Sequence, residues 1–404
     1  MRQSTHWPAV LAVLAAGIVA GMSISKISPA LPLLQSEFGL SLIGTGWLVS
    51  MFNTIAVASA IFFGLISDRA GALRFCAIGL ACIIAGGVMG TLAPNAAWLV
   101  ASRVAEGAGF VAVIVAGPSL VVGASTPSQH GLALGLWGTY MPIGGAVSVA
   151  ASPLLIQSFG WRGVWVSVAV LASTAAALLW LQSRQFPDAR SATRAGRTRS
   201  VASIRASLAQ PVPWLLSIAF ATYTLQCYTV MIWLPTYLLQ TRATDAMTAS
   251  MLTALFIFTN AFGNVMGGWL MHRNLPRGRV MSVTFVLTTV AFILMFAGGL
   301  PDGLRYACVL AYSFITGTVP PAVISGGARY AHSAAEAGSI QGLIVQVSNV
   351  GSFAGPPLIA AAVTHAGDWG AALWVILPAA AIGLSMSLAV ARYEAAARPA
   401  RAAR

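Results

Sequence analysis

The sequence predicts an all-α membrane protein: twelve transmembrane helices in two pseudo-symmetric six-helix bundles. Three observations carry this. Of 404 residues, 58% are hydrophobic and only 8% are charged, too little polar surface to cover a water-soluble globule of this size. Twelve apolar stretches reach the roughly 20 residues that a spanning helix needs, about twice the length of a barrel strand. In lipid only helices and closed barrels satisfy their own backbone groups. The last six stretches also repeat landmarks of the first six at a nearly constant offset.

The expected helices of the first half lie at about 8–33, 41–66, 74–92, 98–122, 131–157 and 161–182. Helix one carries Lys26 before an expected break at Pro29 and Pro32. It is too long for a signal-peptide core and is expected to be retained. Helix two ends in the glycine-bearing run Gly64 to Arg69, helix four carries Arg103 and Glu106, and helix five contains Pro142 and Pro153. A long polar gap from Arg184 to Gln210 follows. It divides the chain into a bundle at 1–183, a basic cytoplasmic linker at 184–210, and a second bundle at 211–404 with a short basic tail. Helices seven to twelve are expected at about 211–240, 248–271, 280–299, 303–327, 336–362 and 370–392.

Four landmarks recur between the halves. Pro32 and Pro235 are 203 residues apart, and the runs Gly64–Arg69 and Gly268–Arg273 are 204 apart. Pro118 is echoed by Pro320 and Pro321, and Pro153 by Pro357. One such coincidence means little; four at one offset mark a duplicated plan. Halves with the same inside-to-outside sense form a site near the bilayer midplane that opens to one side at a time.

The formal charge of +13 is topological. With the N-terminus inside, seventeen arginines fall on one side of the membrane: Arg2, Arg69, Arg74, the six from Arg184 to Arg205, Arg273, Arg277, Arg279, Arg329 and four in the tail. Only Arg162, Arg242 and Arg305 fall on the other. That asymmetry predicts both termini in the cytoplasm, with some attraction to anionic lipid and no nucleic-acid partner. Trp7, Trp98, Trp161 and Trp369 sit near expected interfaces and read as belt anchors.

Several chemistries find no support. The five histidines map to loops or helix ends, with neither a zinc-protease pair nor a nucleophile elbow. No cysteine pair has metal-ligand spacing, so no metal or cofactor is expected and the four cysteines read as buried. The single lysine, Lys26, has no phosphate loop around it. An enzyme and an ATP-driven pump are therefore not expected. Nothing resembles a channel filter either.

Two motifs then carry a family resemblance. Gly64-Leu-Ile-Ser-Asp68-Arg69-Ala-Gly71-Ala-Leu-Arg74 resembles the G-x-x-x-D-R-x-G-x-x-R signature of the major facilitator superfamily, and Arg103-Val-Ala-Glu106-Gly107-Ala-Gly109 its helix-four signature. The resemblance spans the whole chain and implies that superfamily's fold and solute transport by alternating access. Within it, the Pro-Ala-Leu-Pro run, the Arg-x-x-Glu-Gly helix four and Trp233-Leu234-Pro235 are most similar to the cyanate and nitroimidazole permease-like branch. Met141 stands where the proline-glycine signature of proton-driven exporters has a glycine.

Candidate residues follow from cost. Only Lys26, Arg103 and Glu106 bring charge into the spans, and charge in hydrocarbon is expensive enough to mark function. Arg103 and Glu106 share a helix face and can pair. The pairing is itself a structural explanation, and Glu106 is also a candidate proton-coupling site. Lys26 either neutralises an anionic solute or snorkels to the headgroups. Tyr223, Gln226, Gln346 and Asn349 are candidate solute ligands, with Asn53, Tyr140, Asn260 and Asn264 behind them; interhelical glue is the alternative for each. Gly64, Asp68, Arg69, Gly71 and Arg74 form a candidate gating loop, in which the glycines permit tight turning and Asp68 pairs with cations or helix N-termini.

These readings converge on a secondary transporter of a small polar or anionic solute, coupled to protons, monomeric, in a bacterial inner membrane. The alternatives are proton-driven efflux of a hydrophobic drug-like compound, which no acid in helix one supports, and a transporter-like solute sensor.

Overall fold

A computed structural model describes residues 4–186, 205, 208–296, 300–331 and 334–402, with backbone alone at a few positions that include Gly64, Asp68 and Arg69. The linker arginines from Arg190 to Arg199 lie outside the described residues. The described chain is helical throughout. In order, the helices are α1 (Trp7–Ser25), α2 (Ile27–Phe38), α3 (Leu42–Ser50), α4 (Thr54–Ala70), α5 (Ala72–Thr91), α6 (Ala96–Ala124), α7 (His130–Trp137) and α8 (Tyr140–Leu181). They continue as α9 (Pro211–Thr241), α10 (Ala246–His272), α11 (Arg277–Phe296), α12 (Asp302–Thr316), α13 (Val319–Arg329), α14 (Ala334–Ala366) and α15 (Leu373–Ala402).

Among the described residues, eleven helical runs are long and apolar enough to cross a membrane. One of them, Pro127–Leu181, has 55 residues, more than one passage through about 30 Å of hydrocarbon requires. It folds back at Gly160, whose φ of +66° and ψ of 179° interrupt α8. That corner separates the fifth and sixth expected spans.

Other breaks differ from expectation. The chain does not leave the helix at Pro29 or Pro32. It breaks for one residue at Lys26 and resumes as α2 up to Phe38, where Gly39 caps it in the left-handed conformation. The second span continues to Ala70 through a tight 3-10 turn at Met51–Asn53. The Gly64–Arg69 run is consequently the last turns of α4 and not a loop, which corrects the expected geometry of the gate. A single residue makes the corner: Gly71 has φ +89°, a conformation that glycine adopts without strain, and α5 starts immediately after it.

By its contacts the chain divides into two compact units. The first comprises Met1–Arg199 with Ile232–Ala254, the second Ser200–Met231 with Leu255–Arg404. Both are held by backbones that approach through glycine, as expected where helices associate without a hydrophobic driving force between them. In the first unit a Cβ on Gly144 would sit 2.2 Å from the Ile18 carbonyl oxygen, and one on Gly107 1.8 Å from that of Phe52. In the second, Gly351 takes the same relation to Ala221 and Gly317 to Asn260. The duplicated plan thus reuses the same helix pairs, one with five and two with four, then seven with eleven and eight with ten. The second core gathers Leu216, Tyr223, Met281, Phe285, Val319 and Ile344.

Trp161 and Trp369 are buried rather than displayed at an interface. The Trp161 indole lies edge-on to Phe38 and Trp165 and donates to Glu37 Oε2 at 2.5 Å. The reason is the Gly160 corner, which turns Trp161 inward. Trp98 remains exposed, as an anchor should.

Candidate functional site

The site grows out of α6. Asn95 caps this helix by accepting from the Trp98 amide at 3.0 Å. On one face α6 lies against Gly79, Gly86 and Gly90 of α5, and Ser102 donates to the Gly86 carbonyl at 2.7 Å. A Cβ at position 86 would stand 2.6 Å from Glu106 Cγ, so the missing side chain there makes room for the carboxylate. On another face Gly107 admits the backbone of Phe52. α6 is thereby fixed in rotation, and with it Arg103 and Glu106.

Into this place the Lys26 break delivers its ammonium. Lys26 Nζ donates to Glu106 Oε1 at 2.5 Å, and Arg103 Nη1 donates to Glu106 Oε2 at 2.5 Å. All three side chains are 0% exposed. The one carboxylate therefore bridges both cations, and the trio carries a formal charge of +1. Arg103 Nη1 also donates to the Ser23 carbonyl at 2.8 Å. Aromatic faces cover the cations: the Arg103 guanidinium carbon lies 4.4 Å from the Phe52 ring centre, and Lys26 Nζ 4.6 Å from that of Trp165. Lys26 does not snorkel; it is held inside the first unit.

The sequence singled out all three charged residues, but it did not join Lys26 to Glu106, and it missed Phe52, Trp165 and Ser23. The available signal was the spacing of Gly86 and Gly90, which clears one helix face opposite α6. A Cβ on Gly90 would strike the Trp165 ring.

The remaining candidates lie elsewhere. Tyr223, Gln226, Gln346 and Asn349 belong to the second unit. Tyr223 stacks on Phe220 at 5.4 Å, and helices seven and eleven are joined nearby by Thr224 donating to the Ser348 carbonyl at 2.5 Å. Gln226 and Asn349 each donate back to their own helices, to the Thr222 and Val345 carbonyls. Asn260 donates to the Ser313 carbonyl and Thr316, and Asn264 to Asn260, which ties helices eight and ten together. Tyr140 stacks on Trp137. Of the gating residues, Gly71 makes the corner and Arg74 is exposed in the first turn of α5, while the side chains of Asp68 and Arg69 lie outside the described residues. Among the described residues no cluster of three or more His, Cys, Asp or Glu could hold a metal ion.

Comparison with known proteins agrees with this architecture. The chain aligns with the hexuronate transporter of Bacillus subtilis (strain 168) at 24% identity over 409 residues, covering 96% of this chain and 94% of that one. It aligns with the riboflavin transporter RibZ of Clostridioides difficile (strain 630) at 22% identity over 158 residues, which is 39% of this chain and 35% of the relative. The crystal structure of a bacterial homolog to the human lysosomal transporter Spinster, inward-facing and unoccupied, superposes with a TM-score of 0.76 at 17% identity. It covers 97% of this chain and 95% of that one, and it supports the fold alone. These relatives are named as transporters, not enzymes. The Major Facilitator Superfamily profile matches residues 13–356, and the chain is a multi-pass membrane transporter belonging to that superfamily.

Proposed function

We propose that this transporter is a proton-coupled symporter of a small anionic solute, and that Glu106 is the group on which proton and solute meet. The observation that carries the proposal is the shared carboxylate: one buried acid neutralising two buried cations. Protonating Glu106 removes the only negative charge of the trio and leaves two cations in a low-dielectric interior. Uncompensated buried charge is strongly unfavourable, so that state attracts an anion. An anionic solute arriving without a proton would meet a trio of only +1, in which Glu106 already neutralises one of the two cations. Proton and anion thus favour one another's presence, which is symport.

The remaining roles follow from this reading. In the first unit Lys26 and Arg103 receive the negative group; in the second, Tyr223, Gln226, Gln346 and Asn349 are candidate polar ligands of the solute. Gly64, Asp68, Arg69, Gly71 and Arg74 form the cytoplasmic gate of an alternating-access cycle. The relative aligned along nearly its whole length is named for a hexuronate, a sugar carboxylate, which supports a negatively charged cargo here. Cyanate, from the permease branch that the helix-one and helix-four runs resemble, is of the same charge. The arginine asymmetry supports an inner-membrane location with both termini in the cytoplasm, and one chain with two halves suffices for the cycle as a monomer.

The test is proton flux. The purified protein is placed in liposomes holding a pH-sensitive dye at controlled membrane potential, and cyanate, small carboxylates and nitroimidazoles are added in turn. A solute-dependent internal acidification is expected in the wild type. It is expected to vanish in Glu106→Gln, and in Lys26→Met/Glu106→Gln, which restores the wild-type charge of the cluster and guards against loss of folding. Radiolabelled uptake of any of these solutes with no accompanying pH change refutes the coupling.

A further inference from the structure

The guanidinium of Arg103 is used on one corner only. Nη1 makes both of its polar contacts, to Glu106 and to the Ser23 carbonyl. The Phe52 ring covers one face. Among the described residues, Nε and Nη2 have no hydrogen-bond partner although the side chain is fully buried. These two nitrogens form the side edge of the guanidinium, where two N–H bonds point the same way. An unpaired buried donor carries the full penalty of desolvation, and a charged donor more than a neutral one.

We infer that the Nε–Nη2 edge of Arg103 is a receptor for a carboxylate of the solute, bound by two parallel N–H···O bonds. The inference rests on the symport reading and names the class of anion. A carboxylate matches the edge in spacing and direction, as no single-atom acceptor does. It also brings negative charge to a net-positive cluster, which water would not. A halide or the terminal atom of a linear anion such as cyanate satisfies charge but meets the two N–H groups with one acceptor. The fixed orientation of Arg103 removes much of the ordering loss on binding: the Phe52 ring holds its face, and Ser23 and Glu106 hold Nη1.

The experiment is binding to the detergent-purified full chain by titration calorimetry at constant ionic strength. The probes are acetate, glycolate and glucuronate on one side, and cyanate, thiocyanate and chloride on the other. The best carboxylate is expected to bind at least about tenfold tighter than any single-acceptor anion. Arg103→Lys keeps the charge but has no fork, and should shrink that preference to about threefold or less. Cyanate or chloride binding as tightly as the best carboxylate overturns the inference. So does a preference that survives in Arg103→Lys, or the absence of saturable carboxylate binding. If Arg103→Lys does not fold, the wild-type ranking decides. Carboxylate binding without solute-dependent proton flux would refute symport and leave the fork standing. Proton flux driven equally by single-acceptor anions would refute the fork and leave symport standing.

Discussion

Removing Glu106 is expected to damage the protein far more than removing Lys26, although the two are partners in one bond. The magnitudes follow from the cluster. Glu106→Gln breaks two fully buried ion pairs, each 2.5 Å long, and strands both cations. Breaking a buried pair by deleting one partner costs about 3–5 kcal/mol. The stranded cations lie within about 7 Å of each other, which at an effective dielectric of about 20 adds a repulsion of about 2 kcal/mol. Lys26→Met instead leaves a neutral Arg103–Glu106 pair and puts an apolar chain of similar length beside the Trp165 ring. The balance there falls within about 1–2 kcal/mol of zero, because removing a buried charge also removes its desolvation penalty. Lys26→Met/Glu106→Gln returns the trio to +1 and should recover the repulsion, ending more stable than Glu106→Gln alone. The assay is thermal unfolding of the purified protein in one detergent, followed by intrinsic fluorescence at neutral pH. The expected order of midpoints is wild type close to Lys26→Met, then the double variant, then Glu106→Gln. A Glu106→Gln midpoint at or above that of Lys26→Met would refute the reasoning, because it would mean that the carboxylate does not hold the two cations together.

Two further outcomes follow from local geometry. Gly107→Ala places a Cβ 1.8 Å from the Phe52 carbonyl oxygen; the Met51–Asn53 turn must shift and carry the Phe52 ring off Arg103, destabilising by about 1–3 kcal/mol, and an unchanged melting midpoint would show that the contact is loose. At the start of α10, Asp245 lies in the loop before the span and caps the helix by accepting from the Thr248 amide at 2.9 Å and its hydroxyl at 2.6 Å. The Thr248 hydroxyl, and then its amide, hold the Asp245 carboxyl below its ordinary value. A depressed folded value means that the cap contributes above the unfolded value, near 4, and is lost as pH falls through the folded one. Amide exchange at Thr248 should therefore accelerate at acidic pH in the wild type. Asp245→Asn should flatten that dependence.

Helix number, class and the position of most spans were legible in the sequence because they depend on length and apolarity, which lipid imposes on every segment separately. The corner at Gly160 was legible to within a few residues for the same reason, since no single passage uses 55 residues. The breaks were less so. Pro29 and Pro32 read as a helix end, yet the helix continues through both, because neighbouring helices can re-satisfy the carbonyls that proline frees. The Gly64–Arg69 run read as a loop because of its glycine and charges, but only Gly71 is in a conformation that ends a helix.

The candidate site shows the same division. The sequence alone singled out Lys26, Arg103 and Glu106, because a charge in an apolar run is unfavourable wherever the helix finally packs. The Arg103–Glu106 pairing was also local, three residues along one helix. What only the tertiary structure decided is that Lys26, 80 residues from Glu106, closes the cluster instead of reaching for the headgroups. It decided too that Phe52 and Trp165 roof the cations and that one edge of Arg103 is left without a partner. These facts depend on how α6 is rotated, and that rotation is set by the absence of side chains at Gly86, Gly90 and Gly107. Close approach through glycine is a property of two surfaces at once, so no single stretch of sequence contains it.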